Sequence, residues 1–218
     1  MATTSGTTDW RSSDDPIGRM LACIKCLSLS SASPRLLGEF VRDENCYVRM
    51  LAICCLGEFA EHRVEATKVL SECIEQSNCD DSDTKWFIDN AEQRLNDQVA
   101  RANDAFAAKL ANEVQSAGPL TSIESIAPIA LAAIFFRPRR LKVQGLRLLG
   151  FFKTRSTALF PAIEKSLLDE HYTVRLAAVM TAKSVLDKNT LLSVLEPLSA
   201  DENDLVRQVV SGVSNSPK

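Results

Sequence analysis

Apolar residues recur along this chain with the spacing of an α-helix. Leu159, Ile163 and Leu167 lie four residues apart, and after a short polar turn Val174 and Ala178 resume the same spacing. Residues three or four apart share one face of a helix, so such segments predict amphipathic helices that bury that face. Aromatic residues make up only 6 % of the chain and glycine is scarce, which favours helices over sheets. The predicted fold class is all-α.

A seven-residue turn with the pattern Asp-Glu-x-x-x-Val-Arg recurs between these helical segments. Its copies are 43–49, 169–175 and 201–207, and they are identical at four of the seven positions. Each copy lies between two apolar segments with helical spacing, so each unit is predicted to be a helix, a turn and a second helix. Self-similarity of this kind predicts a protein built from stacked repeats.

Two weaker copies extend the repeat. Arg-Met-Leu-Ala occurs at 19–22 and again at 49–52, and the segment 141–150 aligns through its Leu-Gly with Leu56-Gly57, which places Lys142 at the Arg position. Successive basic positions are then 30, 93, 33 and 32 residues apart. Because 93 is three times 31, two further units are predicted between Arg49 and Lys142.

The physics of such a unit accounts for the repeated residues. Asn45 and Asn203 stand where an N-cap accepts hydrogen bonds from the first free amides of a helix. Small residues such as Ala52 and Gly145 allow the second helices to pack closely. The acid of one turn can pair with the Arg of an adjacent turn, which predicts a structural ladder. Its residues are Asp43, Arg49, Asp169, Arg175, Asp201 and Arg207.

The string Asp-Glu-x-x-x-Val-Arg-x-x-Ala followed by Leu-Gly resembles the short HEAT-like repeats of phycobiliprotein lyases. It is complete only at 43–57, and Val210 replaces the Ala in the last copy. The resemblance covers residues 14–77 and 137–213. It implies a right-handed α-solenoid of about six to seven HEAT-like helix-turn-helix repeats, with a concave face used for binding.

The predicted domain organisation follows from where the turn is present. Residues 1–14 are predicted to be a disordered tail, and 15–215 a single HEAT-like α-solenoid domain. Its repeats are regular over 15–77 and 137–213 and irregular over 78–136, where a polar acidic loop replaces the turn. An interruption of this kind can mark a specialised surface or a repeat that has drifted. The specialised surface is predicted within 78–147.

A basic run is the strongest candidate for binding chemistry. The net charge of −3 is uneven, because residues 1–100 carry 10 basic and 17 acidic side chains and residues 101–218 carry 15 and 11. Seven cations without an acid fall at Arg137, Arg139, Arg140, Lys142, Arg147, Lys153 and Arg155. Arg137, Arg139 and Arg140 cluster at a predicted helix start, which attracts anions. Helical spacing places Arg140, Lys142 and Arg147 partly on different faces, so these cations cannot all meet one ligand. The candidate partner- or anion-binding residues are Arg137, Arg139, Arg140, Lys142, Arg147 and Trp86. The alternative is that these cations are solvated at the start of a helix and bind no partner, and that Lys142 belongs to the structural ladder.

Other chemistry is poorly supported by the sequence. Only two histidines occur, His62 and His171, and no catalytic set or phosphate loop is visible. Cys23-x-x-Cys26 with Cys54-Cys55 suggests a thiolate zinc site, but thiols within helices more often pack in a core. We therefore predict no catalytic residues, no metal and no cofactor.

Cysteine usage and hydropathy bear on location. Seven cysteines, all before residue 80, and no secretory signal over residues 1–15 predict reduced thiols in the cytoplasm. The longest apolar stretch, 126–136, is too short to span a bilayer, so no membrane association is expected.

Three functions are compatible with these features. The leading hypothesis is a non-enzymatic scaffold or adaptor that binds another protein on the concave face of the solenoid. The alternative is a nucleic-acid-binding protein that resembles HEAT-like DNA glycosylases, with Trp86, Asp89 and the run Arg137 to Arg147 as its groove; the acidic overall charge disfavours nucleic acid as the partner. A third hypothesis is a chaperone of tetrapyrroles similar to the bilin lyases.

Overall fold

The computed structural model describes residues 14–27, 33–76, 82–117, 121–151 and 157–214. Within these ranges the chain is helical and forms no strand, so the all-α prediction is confirmed. The α-helices are α1 Pro16–Leu27, α2 Cys46–Leu56, α3 Arg63–Gln76, α4 Ser82–Leu95, α5 Val99–Ser116, α6 Ile123–Phe136, α7 Arg139–Phe151, α8 Phe160–Leu167, α9 Tyr172–Val185, α10 Lys188–Leu195 and α11 Asp204–Ser214. Short 3₁₀ helices span Pro34–Leu37, Phe40–Arg42, Ala60–His62, Thr157–Leu159 and Glu196–Ala200.

The chain divides into two compact units, 1–102 and 103–218. The division lies inside α5 and inside the segment 78–136 that the sequence marks as irregular. A single domain over 15–215 stays a prediction, as does the number of repeats. The predicted tail, 1–14, lies outside the described residues except for Asp14.

The first unit is organised around α2. This helix packs against α1 on one side and α4 on the other, and its residues from Met50 to Leu56 are all buried. Gly57 at the end of α2 lies so close to α4 that a Cβ there would be 3.0 Å from Ala91 Cα. The glycine of the Leu-Gly pair therefore permits the close packing of α2 on α4.

The second unit repeats this arrangement with α7 and α9 at its centre. Helix α6 packs on α7, α7 on α9, and α9 on both α8 and α11. Every residue of α6 from Ile126 to Ile134 is buried, which explains why this stretch has no polar face. Gly145 gives α7 its closest approach to α6, since an added Cβ would lie 2.8 Å from Ala133 Cβ and 2.9 Å from the Ala130 carbonyl oxygen.

The segment between Arg49 and Lys142, for which two further units are predicted, contains α3, α4, α5 and α6. Helices α3 and α4 form one helical pair, and α6 pairs with α7, the helix that carries Lys142. That leaves α5, an 18-residue helix, where a second pair was expected. No second pair occurs among the described residues of this segment.

Candidate functional site

The recurring conformation of the turn is built by its Asp and by the residue two positions later. Asp43 Oδ1 accepts a hydrogen bond from the Asn45 amide at 2.8 Å, and Asn45 Oδ1 accepts from the amides of Tyr47 at 2.9 Å and Val48 at 3.3 Å. The predicted N-cap at Asn45 is therefore confirmed. The same Asp contact recurs in the other turns, from the His171 amide to Asp169 at 3.0 Å and from the Asn203 amide to Asp201 at 2.8 Å.

Each of these Asp carboxylates also binds the basic side chain of the preceding unit. Arg19 donates two hydrogen bonds to Asp43, at 2.9 and 3.0 Å. In the second unit Lys142 donates to Asp169 at 2.7 Å, and Arg175 donates twice to Asp201, both at 2.8 Å. We call these three contacts the ladder pairs. Their carboxylates are at most 11 % exposed, so they are shielded from water.

The Arg of each turn also donates hydrogen bonds to carbonyl oxygens earlier in its own turn. Arg49 donates to the carbonyls of Asp43 at 2.8 Å and Glu44 at 3.0 Å, and Arg175 binds the equivalent pair in its turn at 2.8 and 3.1 Å. Arg207 binds the Asp201 carbonyl and the side chain of Asp204. Arg49 and Arg207, two of the six predicted ladder residues, therefore bind within their own turns. The Asp of each of those turns is paired with a cation of the preceding unit.

In the ladder pairs, pairing favours the charged form of the side chains although burial opposes it. Hydrogen bonds to Asp201 raise the pKa of Arg175 although burial opposes this, and the Arg175 guanidinium lowers the pKa of Asp201. Burial acts to raise the pKa of Asp169, but the Lys142 ammonium and the His171 amide outweigh it and the pKa is lowered. Arg175, Asp201 and Asp169 therefore stay ionised near neutral pH, so these groups hold helices together and are poorly suited to proton transfer.

The basic run does not form one anion site. Arg137 is only 3 % exposed, and its guanidinium carbon lies 4.5 Å from the centroid of the Phe106 ring. Lys142 is held by Asp169. Arg139, Arg140 and Arg147 remain exposed. The other two cations predicted for the run, at 153 and 155, lie outside the described residues.

The aromatic and acidic residues proposed for a nucleic-acid groove belong to the other unit, on α4. Trp86 is half-buried and meets Phe87 edge-on, with ring centroids 5.0 Å apart, and Asp89 is exposed. His62 is exposed, and His171 lies 3.5 Å from the Glu170 carboxylate at the start of α9. The second tryptophan, at position 10, lies outside the described residues.

The cysteines of α1 and α2 are packed in the core. Cys23, Cys54 and Cys55 are at most 1 % exposed, and burial raises the pKa of the Cys23 and Cys55 thiols well above the ordinary value. Over the described ranges, no group of three or more His, Cys, Asp or Glu side chains is arranged to hold a metal ion. The cysteine at position 79 lies outside the described residues.

These thiols are expected to resist alkylation in the folded protein. Brief treatment with iodoacetamide at pH 8, followed by peptide mass spectrometry, is expected to label Cys46, which is partly exposed, far more than Cys23, Cys54 or Cys55. The same reaction in 6 M guanidinium chloride is the control and is expected to label all of them. Equal labelling of Cys46 and Cys55 in the native protein would contradict the burial described above.

A groove lies between α7 and α9 in the second unit. Its volume is about 610 Å³. The lining residues, which define the α7–α9 groove, are Val143, Arg147, Gly150, Phe151, Thr173, Leu176, Ala177, Met180, Thr181 and Ser184. Phe151 is 60 % exposed and Met180 is 53 % exposed, so two large apolar side chains stand open to solvent.

Close packing of the two helices forms the floor of this groove. Thr181 Oγ1 donates to the Leu146 carbonyl at 2.8 Å, and a Cβ on Gly150 would lie 3.4 Å from Thr181 Cα. Near the start of α7, Lys142 binds Asp169, which lies just before the start of α9. Near the ends of the same two helices, Gly150 contacts Thr181. The two helices therefore run parallel. The sequence analysis did not identify the groove, because the spacing of apolar residues does not show which helix faces remain uncovered.

No protein-family model and no curated protein matches the chain. None of the described helices combines the length and apolar character that crossing a membrane requires.

Proposed function

We propose that this protein is a non-catalytic scaffold that binds another protein through the α7–α9 groove. The observation that carries the proposal is the exposure of Phe151 and Met180 along an open groove that is also lined by Val143, Leu176 and Ala177. Exposed apolar surfaces of this kind typically mark interaction sites, because leaving them in water is unfavourable.

The ladder pairs support this proposal by holding the groove helices in place. Lys142 ties the start of α7 to the turn before α9, and Arg175 ties the start of α9 to the turn before α11. A rigid surface loses little conformational entropy when a partner binds. In the proposal, the helix pairs are HEAT-like repeats of a right-handed solenoid and the groove is part of its concave face.

The nucleic-acid hypothesis draws less support from the site. Arg137 is buried under Phe106, and Lys142 is neutralised by Asp169, so two of its proposed phosphate-binding cations are engaged elsewhere. No observation among the described residues favours the tetrapyrrole hypothesis.

The proposal is tested by affinity capture from extracts of the source cells with the native protein and Met180→Glu. A charge in the middle of the groove is expected to reduce recovery of a stoichiometric partner about tenfold or more. Leu168→Glu is the matched control, because Leu168 is 76 % exposed and lies outside the groove. Equal recovery by all three proteins, or no stoichiometric partner for any of them, would count against the proposal.

A further inference from the structure

The two helices of the α7–α9 groove carry only one sign of charge. Their residues include six cations and no acid: Arg139, Arg140, Lys142, Arg147, Arg175 and Lys183. Lys142 and Arg175 are neutralised in the ladder pairs, while the other four are exposed and form no ion pair with a described acid. The adjacent turn adds Asp169, already paired, and Glu170 at one end. A surplus of positive charge therefore surrounds an apolar groove.

Three of these cations, Arg140, Arg147 and Lys183, share a helix side with residues that line the groove. Arg147 is itself a lining residue of α7. Arg140 precedes it by seven residues, nearly two turns, so both lie on the same side of that helix. On α9, Lys183 follows the lining residue Leu176 by seven residues and shares its side in the same way. The groove thus has an apolar floor with cations at its edges.

The dimensions of the groove fit a short helix. Its lining residues span 143–151 on α7 and 173–184 on α9, which at about 1.5 Å per residue correspond to roughly 12 and 16 Å, or two to three helical turns. Two parallel helices with a row of small and apolar residues between them leave a trough that the apolar face of a third helix can fill.

We infer that the α7–α9 groove takes an amphipathic α-helix of a partner protein whose apolar stripe is flanked by Asp and Glu side chains. The stripe covers Phe151, Leu176 and Met180, and the carboxylates pair with Arg140, Arg147 and Lys183. This inference rests on the proposed function and specifies the chemistry of its partner.

A protein helix suits this surface better than a nucleic acid does. The exposed cations of α7 are separated from Lys183 of α9 by apolar floor residues such as Leu176 and Ala177, so a phosphate backbone cannot bind both walls without crossing that floor. A nucleic acid would leave that floor exposed to water, and an amphipathic helix buries it.

The first experiment selects the partner chemistry without assuming a sequence. A displayed library of random peptides of about 16 residues is selected on the native protein, after removal of peptides that bind Met180→Glu. Enriched peptides are expected to carry apolar residues at i, i+3 or i+4, and i+7, with Asp or Glu beside them. Groove-dependent peptides that lack the acids or the helical spacing would overturn the inference and leave the proposed function standing. Absence of groove-dependent peptides overturns it as well.

A charge-reversal experiment then separates electrostatic pairing from structural damage. The affinity of an enriched acidic peptide, measured by fluorescence anisotropy, is expected to fall about tenfold or more with Arg140→Glu and Arg147→Glu together. The same peptide with its acids replaced by Arg is expected to regain binding on that double variant. Lys188→Glu, an exposed reversal on α10, is the control and is expected to change affinity less than about twofold. Loss without rescue would overturn the inference.

A single-stranded oligonucleotide of about 20 nucleotides serves as the competing probe. It is expected to leave the bound peptide in place at about 0.15 M salt. Displacement of the peptide from the native protein by the oligonucleotide would overturn the inference in favour of nucleic acid.

Discussion

The Asp201→Asn variant is expected to unfold with about 3 kcal/mol less free energy than the native protein. Arg175 and Asp201 are 8 % and 4 % exposed and share two hydrogen bonds, so the substitution leaves a buried guanidinium without its carboxylate. Asn can still accept the hydrogen bond that the Asn203 amide gives to Asp201, so the turn itself is preserved. Urea unfolding followed by circular dichroism measures the loss.

Glu202 supplies the matched control for this prediction. It lies 3.2 Å from the same guanidinium, but it is 83 % exposed. Solvent screens exposed pairs, so Glu202→Gln is expected to cost no more than about 0.5 kcal/mol. Similar losses for both variants would show that burial does not determine the strength of these contacts.

The stabilisation from Asp201 is also expected to depend on pH. Pairing lowers the pKa of Asp201 in the folded protein, so its contribution is complete above the pKa of the unfolded chain, about 4. That contribution is lost as pH falls through the lower folded pKa. The difference in unfolding free energy between native protein and Asp201→Asn should therefore shrink as the pH is lowered from 5 towards 2. A difference that is constant over this range would contradict the assignment.

Gly145→Ala is expected to lower the free energy of unfolding by about 2 kcal/mol. The added methyl group would lie 2.8 Å from Ala133 Cβ and 2.9 Å from the Ala130 carbonyl, so α6 and α7 must move apart. Alanine favours a helix by up to about 1 kcal/mol over glycine, but the clash with a backbone oxygen in a packed core outweighs this gain. Thermal and urea unfolding measure the net effect.

Gly212→Ala separates packing from helix propensity. Gly212 lies in α11, where an added Cβ has no atom within 4 Å. The same substitution there is expected to stabilise the protein by roughly 0.5 to 1 kcal/mol, because only the propensity gain remains. If Gly145→Ala were also stabilising, the close approach of α6 and α7 would be incorrect.

The turn could be predicted from the sequence because its hydrogen bonds join residues only a few positions apart. Asn45 follows Asp43 by two residues and begins a helix, and short-range contacts of that kind depend only on the nearby sequence. The helical class followed from the spacing of apolar residues for the same reason. Pairing between turns was harder to assign: the cation that binds Asp43 is Arg19, in the unit before.

Features that depend on distant residues were not accessible to the same reasoning. The sequence predicts Arg137 to be a surface cation, whereas in the structure it is buried and packs on the ring of Phe106, 31 positions earlier in the chain. The exposure of Phe151 and Met180 depends on which helix faces remain uncovered by neighbours, which periodicity does not specify. One signal was present in the sequence, since neither α7 nor α9 contains an acid.

Because of the ladder pairs, the repeats of the second unit can substitute for one another. A single turn contributes its Asp to the cation before it and its Arg to the Asp after it, as the turn with Asp169 and Arg175 does. A tandem duplication of residues 169–200 would therefore place the new Asp against the old Arg175 and the new Arg against Asp201. Every buried charge in the lengthened chain would still have a partner. Gene duplication or protein engineering can thus add such a module without leaving a charged group stranded in the core.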